Sequence, residues 1–326
     1  MAKKIRWGIL GPGKIARKFA EGLKSVKDAE LAAVGSRSKD RAEEFGVEFG
    51  AARCHGSYEA LADDPGVDAV YVATPHPMHK GHSLLCLNAG KAVLCEKPFA
   101  INAAEAQEVI AAARAAGVFC MEAMWTRFLP YIVKLRKLLA DGAIGEVRML
   151  AADFGFRAGF DPSSRLLDPN LGGGGLLDVG VYPVSLSSMI LGEPAEVAAL
   201  ADLGATGVDE QAAYVLKHPG GRLAVLYSAV RTKTPMEAVI LGTDGDIRLH
   251  SPWWCGQTLT VTAGGKPETI DLPREGNGYN YEAEEVGRCL RAGRTESDVM
   301  PLAETLSVMR TLDAIRAAFG LKYPME

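Results

Sequence analysis

Short apolar runs alternate with amphipathic stretches over the first third of the chain. Residues 4–10 (KIRWGIL) predict a strand, followed by a Gly-rich turn and a helix over 14–23. Residues 31–35 and 69–73 read as further strands, with helices over 39–45 and 78–88; Gly90 stops the second helix ahead of a strand at 92–95. Asn102, with Glu105 three residues on, makes a capping pair for an Ala-rich helix to Ala116, and Gly117 closes it before a strand at 118–121. Strands that alternate with helices at this spacing predict a doubly wound parallel sheet, a Rossmann-type unit in an α/β protein.

The rhythm changes after about residue 123. A helix over 130–140 leads to strands at 146–156, 197–203, 211–217, 222–230, 238–241, 247–250 and 258–262. One helix, 176–191, interrupts them, and helices near 281–291 and 302–319 follow. Turns such as Pro219-Gly-Gly and Asp244-Gly245 make this a largely antiparallel sheet in an α+β unit. The expected division is a dinucleotide-binding domain over 1–122 and a substrate-binding and dimerisation domain over 123–326. Polarity does not alternate along 222–231. Leu223, Val225, Tyr227 and Ala229 share one face and Ala224, Leu226, Ser228 and Val230 the other, so both faces are largely apolar. Too few helices follow Gly145 to cover both faces of about six strands, which predicts an open-faced sheet paired with a second copy. On that reading Leu226→Lys yields a monomer if Leu226 lies on the outer face; the alternative is that the loop over 155–174 covers that face within one chain.

Composition narrows the function. The 326 residues are 48% hydrophobic and 23% charged, which excludes a largely disordered chain and suits two domains. Lys+Arg 36 against Asp+Glu 40, with no dense basic stretch, argues against a nucleic-acid partner. No apolar run approaches the roughly 18–20 residues that cross a bilayer, and the Met1-Ala2-Lys3-Lys4-Ile5 start has no leader-like region. The expectation is a soluble cytoplasmic protein. Its six scattered cysteines then read as reduced thiols.

Chemistry enters at the strand ends. Gly11-Pro-Gly13-Lys14-Ile15-Ala16 is a G-x-G-x-x-A turn between the first strand and the first helix, suited to a dinucleotide pyrophosphate. The second strand ends in Ser36-Arg37 where NAD-binding domains place an acid, so a 2′-phosphate fits better and NADP is favoured, with NAD as the alternative. Thr74-Pro75-His76 and His79 follow the next apolar strand, where ligands of open α/β sheets sit. The spacing of His76, His79 and His82 suggests a metal, but no Cys or carboxylate stands beside them, and no metal site is assigned. Glu96-Lys97-Pro98 ends an apolar strand and puts an amine where protons are exchanged beside a nicotinamide.

The order of these motifs, with Gly174-Gly-Leu-Leu-Asp178-Val-Gly-Val-Tyr182 after them, resembles the Gfo/Idh/MocA family of dinucleotide-dependent oxidoreductases along essentially the whole chain. Residues 92–98 and 119–128 resemble its dimeric dihydrodiol dehydrogenase branch, which includes NADP-dependent aldose dehydrogenases. The resemblance implies Lys97 as the catalytic lysine, a cis Pro98, and Tyr182 as acid/base in place of the wider family's histidine. Asp178 lies four residues earlier, on the same helix face. Cofactor contacts are implied for Gly11, Gly13, Lys14, Ile15, Ser36, Arg37, Thr74, Pro75, His76, His79, Glu96 and Lys97. Substrate contacts are implied for Trp125, Arg127, Phe154, Trp254 and Tyr279, whose phenol, in place of an apolar ring, favours a more hydroxylated substrate. The expected activity is hydride transfer at a carbinol carbon of a sugar or a trans-dihydrodiol. A non-catalytic dinucleotide sensor on the same fold is the alternative. Retention of Lys97, Asp178 and Tyr182 together favours the enzyme.

Overall fold

The structure is a computed structural model that describes residues 4–326. The Met1-Ala2-Lys3 opening, on which the reading of the chain start depends, lies outside the described residues. The first part of the chain runs β1 (Ile5–Leu10), α1 (Lys14–Leu23), β2 (Ala29–Gly35), α2 (Lys39–Phe49), β3 (Arg53–His55), α3 (Tyr58–Ala62), β4 (Ala69–Val72), α4 (His79–Asn88), β5 (Ala92–Glu96), α5 (Ala103–Ala116) and β6 (Cys120–Ala123). The second part runs α6 (Pro130–Ala140), β7 (Val147–Gly155), a π-helical turn (Leu176–Gly180) continuing into α7 (Val181–Leu191), β8 (Glu196–Leu203), β9 (Asp209–His218) and β10 (Arg222–Ala229). It ends with β11 (Ala238–Gly242), β12 (Gly245–Leu249), β13 (Thr258–Ala263), β14 (Lys266–Asp271), α8 (Tyr279–Arg291) and α9 (Leu302–Ala318).

Two compact units result, one of Met1–Trp125 with Glu275–Leu306 and the other of Thr126–Arg274 with Ser307–Glu326. The segment holding α8 thus groups with the nucleotide-type unit, whereas the sequence assigned everything after 122 to the second domain. Close packing on α1 explains this: a Cβ on Gly22 would lie 2.7 Å from Asn277 Oδ1 and 3.0 Å from Tyr279 Cβ. Asn277 also donates to the Lys18 carbonyl at 2.7 Å.

The first unit holds a six-stranded, all-parallel sheet in the order β3-β2-β1-β4-β5-β6. Strand order reverses between β1 and β4, the switch point where the carboxyl ends of open α/β sheets bind ligands. Helix α5 has the predicted ends: Asn102 Oδ1 accepts the Glu105 amide at 2.9 Å, and Gly117 closes the helix at φ +63°. Helix α2 runs past its predicted stop to Gly50, because Gly46 gives room to Cys54, whose Sγ would lie 2.4 Å from a Cβ there.

The second unit holds an eight-stranded sheet, β14-β13-β12-β11-β7-β10-β9-β8, antiparallel except for the β7–β10 pair. Strand β14, a polar KPETID edge strand, carries no apolar pattern and was not expected. The chain from Pro169 to Leu191 has the length and mean hydropathy (1.3) of a membrane span, which the sequence reading did not recognise; 89% of that window is buried, as befits a core helix. Burial alternates along most of β9 and the middle of β10 although polarity does not. Leu226 is fully buried beneath α7, which corrects its expected use as an outer-face position, while Val225 is 40% exposed. Leu200 (81% exposed), Val215, Tyr227, Met149 and Leu241 stand on the uncovered face with Val225. Cross-strand pairing makes that surface continuous: Leu200 lies opposite Ala213, Val225 opposite Val215 and Ala151, and Met149 opposite Leu241.

Candidate active site

In the first unit the Gly-rich turn closes at Gly11, whose φ of +92° an L side chain rarely adopts. A Cβ there would also meet Thr74 Cγ2 at 2.9 Å. Gly13 caps α1, and a Cβ on it would meet nothing within 4 Å, leaving open space in front of the helix N-terminus formed by Lys14 and Ile15. A cavity of about 450 Å³ begins at Gly11, Pro12 and Gly13 and ends at Ala73, Thr74 and Pro75. Its far wall is Ser36, Arg37, Ser38, Arg41 and Tyr58. No carboxylate is among these residues, and two guanidinium groups are. Ser36 is buried, with its Oγ accepting the Ser38 amide at 3.2 Å. Arg37 is exposed and its charge reaches His82, lowering that imidazole's pKa alongside the larger effect of burial.

Arg41 and Tyr58 were missed in the sequence. Arg41 lies in the first turn of α2 beyond the Ser38 cap, and Tyr58 packs edge-on against His82, with ring centroids 4.6 Å apart. His82 in turn bonds Thr74 Oγ1 at 3.0 Å. The offset of three to four residues from Arg37 to Arg41 is a signal that could have found the arginine once α2 was placed.

Strand ends β4 and β5 are clamped by His79. This buried imidazole contacts the Thr74 carbonyl at 2.7 Å through Nε2 and the Pro98 carbonyl at 2.8 Å through Nδ1. Burial pushes its pKa down to about 4, although both carbonyls favour the charged ring. With both ring nitrogens engaged, His79 braces the turn around Thr74 and the cis Lys97–Pro98 bond. His76 lies against it at 5.7 Å between centroids. Glu96, also buried, accepts the Tyr71 hydroxyl on one oxygen and the Lys97 amide at 3.2 Å on the other. Glu282 of α8 is fully buried and its carboxyl is held well above the usual range by burial and by the Glu96 charge. No sequence pattern marked Tyr71 or Glu282, because their link to Glu96 spans 25 residues in one case and most of the chain in the other. Trp125 stacks on Tyr279 in this same unit, centroids 4.4 Å apart and planes 16° from parallel.

The second unit assembles the other predicted groups. Tyr182 stands in the first turn of α7, buried, with its ring 5.3 Å from Phe154 of β7 and 5.8 Å from Trp254. Phe154 and Trp254 stack at 4.6 Å and 11°. Trp254 is fixed through its carbonyl, which accepts the Thr126 hydroxyl at 2.7 Å. Asp178 projects from the π-helical turn just before Tyr182 and accepts Arg165 Nη1 at 2.8 Å. Such turns recur where a helix is reshaped to aim side chains. Arg127, expected at the substrate, is buried and holds α7, with Nε on Ser185 Oγ at 3.0 Å and Nη2 on the Ser185 carbonyl at 2.8 Å.

Residues 5–124 match the description "Oxidoreductase family, NAD-binding Rossmann fold", and residues 132–248 match "GFO/IDH/MocA C-terminal domain". The chain belongs to the Gfo/Idh/MocA family. It is a dinucleotide-dependent dehydrogenase acting on CH–OH groups. Trans-1,2-dihydrobenzene-1,2-diol dehydrogenase of Mus musculus is 41% identical over 99% of both chains, and that of Homo sapiens is 38% identical over the same shares. Among solved structures, the aldose-aldose oxidoreductase from Caulobacter crescentus complexed with glycerol superposes with a TM-score of 0.90 at 28% identity over 97% of both chains. A 3-ketoreductase from Actinomadura kijaniata, in complex with TDP-benzene and NADP, gives 0.85 at 26% identity, covering 97% of this chain and 98% of the other. Within this Gfo/Idh/MocA member, the family's motifs coincide with the cavity of the first unit and the ring cluster of the second.

Proposed function

We propose that this dehydrogenase prefers NADP and oxidises a carbinol carbon of a trans-dihydrodiol or a pyranose, as a cytoplasmic homodimer, with Lys97 and Tyr182 as its proton-transfer groups. The observation that carries the reading is Tyr182 itself, a phenol buried against stacked Phe154 and Trp254, on the helix that also presents Asp178. Stacked rings accept the C–H face of a pyranose or the ring of a dihydrodiol alike, which is why both classes stand. The cofactor, when bound, accepts the hydride as the carbinol becomes a carbonyl. Gly11, Gly13, Lys14 and Ile15 would hold its pyrophosphate, Ser36, Arg37 and Arg41 its 2′-phosphate, and Thr74, Pro75 and His76 the path towards Glu96 and Lys97. Tyr182, as the phenolate that the Lys97 ammonium favours, takes the proton of the substrate hydroxyl and becomes the phenol, and the same ammonium stabilises the negative charge that develops on the substrate oxygen. Trp125 and Tyr279 add a second stacked pair, with a phenol to meet a hydroxylated ligand.

Support for NADP is the acid-free, Arg-bearing wall of the cavity. Support for a dimer is the continuous apolar face of the second sheet, larger than a scatter of single exposed residues. The test is a panel assay of the purified protein with NADP and NAD against pentoses, hexoses and trans-dihydrodiols, read as absorbance of the reduced cofactor. Turnover with one class, faster with NADP, is expected. Absence of turnover with every substrate, alongside intact dinucleotide binding, would return the reading to a sensor.

A further inference from the structure

The π-helical turn and α7 rest on a corner built almost wholly from backbone. Gly173 donates to the Asp168 carbonyl at 3.0 Å and Gly174 to the Leu166 carbonyl at 2.8 Å. The Gly173 carbonyl accepts the Tyr323 hydroxyl at 2.7 Å. Beneath this corner lies Asp209, the first residue of β9, with no exposed surface. Its Oδ2 accepts the Leu176 amide, the first of the turn, at 2.6 Å. A Cβ on Gly174, where φ is +111°, would fall 2.2 Å from Asp209 Oδ1, and one on Gly175 would fall 3.3 Å from Oδ2. Gly174 is not replaceable while the carboxyl occupies that place, and Gly175 leaves little room beside it.

We propose that Asp209 is a positioning residue for Asp178 and Tyr182: it ties the Gly-rich corner to the start of the helix from which both project. The proposal rests on the reading of Tyr182 as the acid/base. The 2.6 Å bond to Leu176 is shorter than two other bonds that hold the backbone of the turn. Its own Asp178 amide reaches the Gly174 carbonyl only at 3.4 Å, and the Tyr214 hydroxyl reaches the Gly180 carbonyl at the same distance. Oδ1 of Asp209 has no hydrogen-bond partner among the described residues. A buried carboxylate with one strong donor is poorly satisfied, so its charged and neutral forms come into balance near neutrality.

Burial raises the Asp209 carboxyl to about 7, and the Leu176, Gly175 and Asp209 amides and the Arg316 charge pull the other way. The titratable and charged groups around it are Arg316 from α9, paired with Asp313 and Glu326, Tyr323 near the C-terminus, Tyr214 on its own strand, and Asp178, paired with Arg165, on the turn. The native state thus favours the protonated acid. Its contribution to stability is complete below the ordinary carboxylate range and is lost as pH rises through about 7. The hold on Leu176 runs the other way, since an ionised oxygen is the stronger acceptor at a helix start. Above neutrality the residue therefore gives up stability and tightens the turn.

Asp209→Asn separates these effects in the whole enzyme. Relative to the parent, the variant should gain in melting temperature as pH is raised from 5.5 to 8.5, because the parent loses stability across that window and the variant has no titrating carboxyl there. In the same buffers its kcat should match the parent's at low pH and fall about 5-fold at high pH, the size of one lost charged cap, with NADP affinity unchanged. A parent kcat that rises through neutrality, and a variant that lacks the step, is the expected pair. Superimposable profiles would overturn the proposal. Hydrogen exchange over residues 173–182, corrected for intrinsic pH dependence, provides a readout free of turnover. Protection should grow through neutrality in the parent and not in Asp209→Asn. Equal protection in both would refute the positioning role even if no substrate is turned over, whereas a normal exchange result beside a fully active Tyr182→Phe would fault the acid/base reading alone.

Discussion

The two sheets use the same apolar residues to opposite ends. In the parallel sheet every residue of β4 (AVYV) and β5 (AVLCE) is buried, and the strands read as unbroken apolar runs. In the second sheet β9 alternates buried and exposed positions along DEQAAYVLKH, yet the exposed ones still include Ala213 and Val215. One sheet is finished within its own unit. The other leaves a face of the same chemistry uncovered, the face that the proposed dimer would bury. What decides between the two is the supply of helices: the π-helical turn and α7 pack on the inner face of the central strands.

The largest effect should come from the finished sheet. Lys97→Met at the end of β5 should lower kcat by at least about 100-fold while NADP affinity stays within a few fold, because only charge stabilisation at the reacting oxygen is removed. Near-normal turnover would remove Lys97 from the chemistry. The contrast between the faces is broken next. Leu226→Lys puts an ammonium under α7 with no partner and should prevent folding, at a cost of several kcal/mol. Val225→Lys, one residue away on the open face, should fold and scatter light as the 34.7 kDa monomer instead of twice that mass. If both variants fold as the parent oligomer, the open face is not the interface. A smaller effect is expected for Arg37→Glu, which should weaken NADP by about 10-fold relative to NAD through loss of one charged hydrogen bond and added repulsion. Fluorescence titration of both cofactors measures the ratio, and an unchanged one leaves Arg37 as a solvated loop charge.

These differences also mark how far the sequence could be read. Helices α1, α5 and α6 have the expected ends because local chemistry sets them: Asn102 and Gly117 bound α5 whatever surrounds it. The turn at Gly11 and the acid-free strand end at Ser36 were visible as residue types, whereas the roles proposed for Lys97 and Tyr182 come from the family resemblance. The open face was visible as apolar character but not as a choice between Val225 and Leu226, since burial there depends on which side α7 lies. The tie of Arg127 to Ser185, 58 residues on, had no signal in the local sequence. Asp209, Tyr71 and Glu282 act through contacts across the chain, and no local pattern announces them.

Tyr182→Phe tests the central claim most directly. The substitution keeps the ring against Phe154 and Trp254 and removes one oxygen. With the best substrate of the panel, kcat should fall at least about 100-fold at every pH, with NADP dissociation measured alongside and unchanged within a few fold. A variant that turns over at close to the parental rate would contradict the account, because no proton-transfer role for the phenol would survive it.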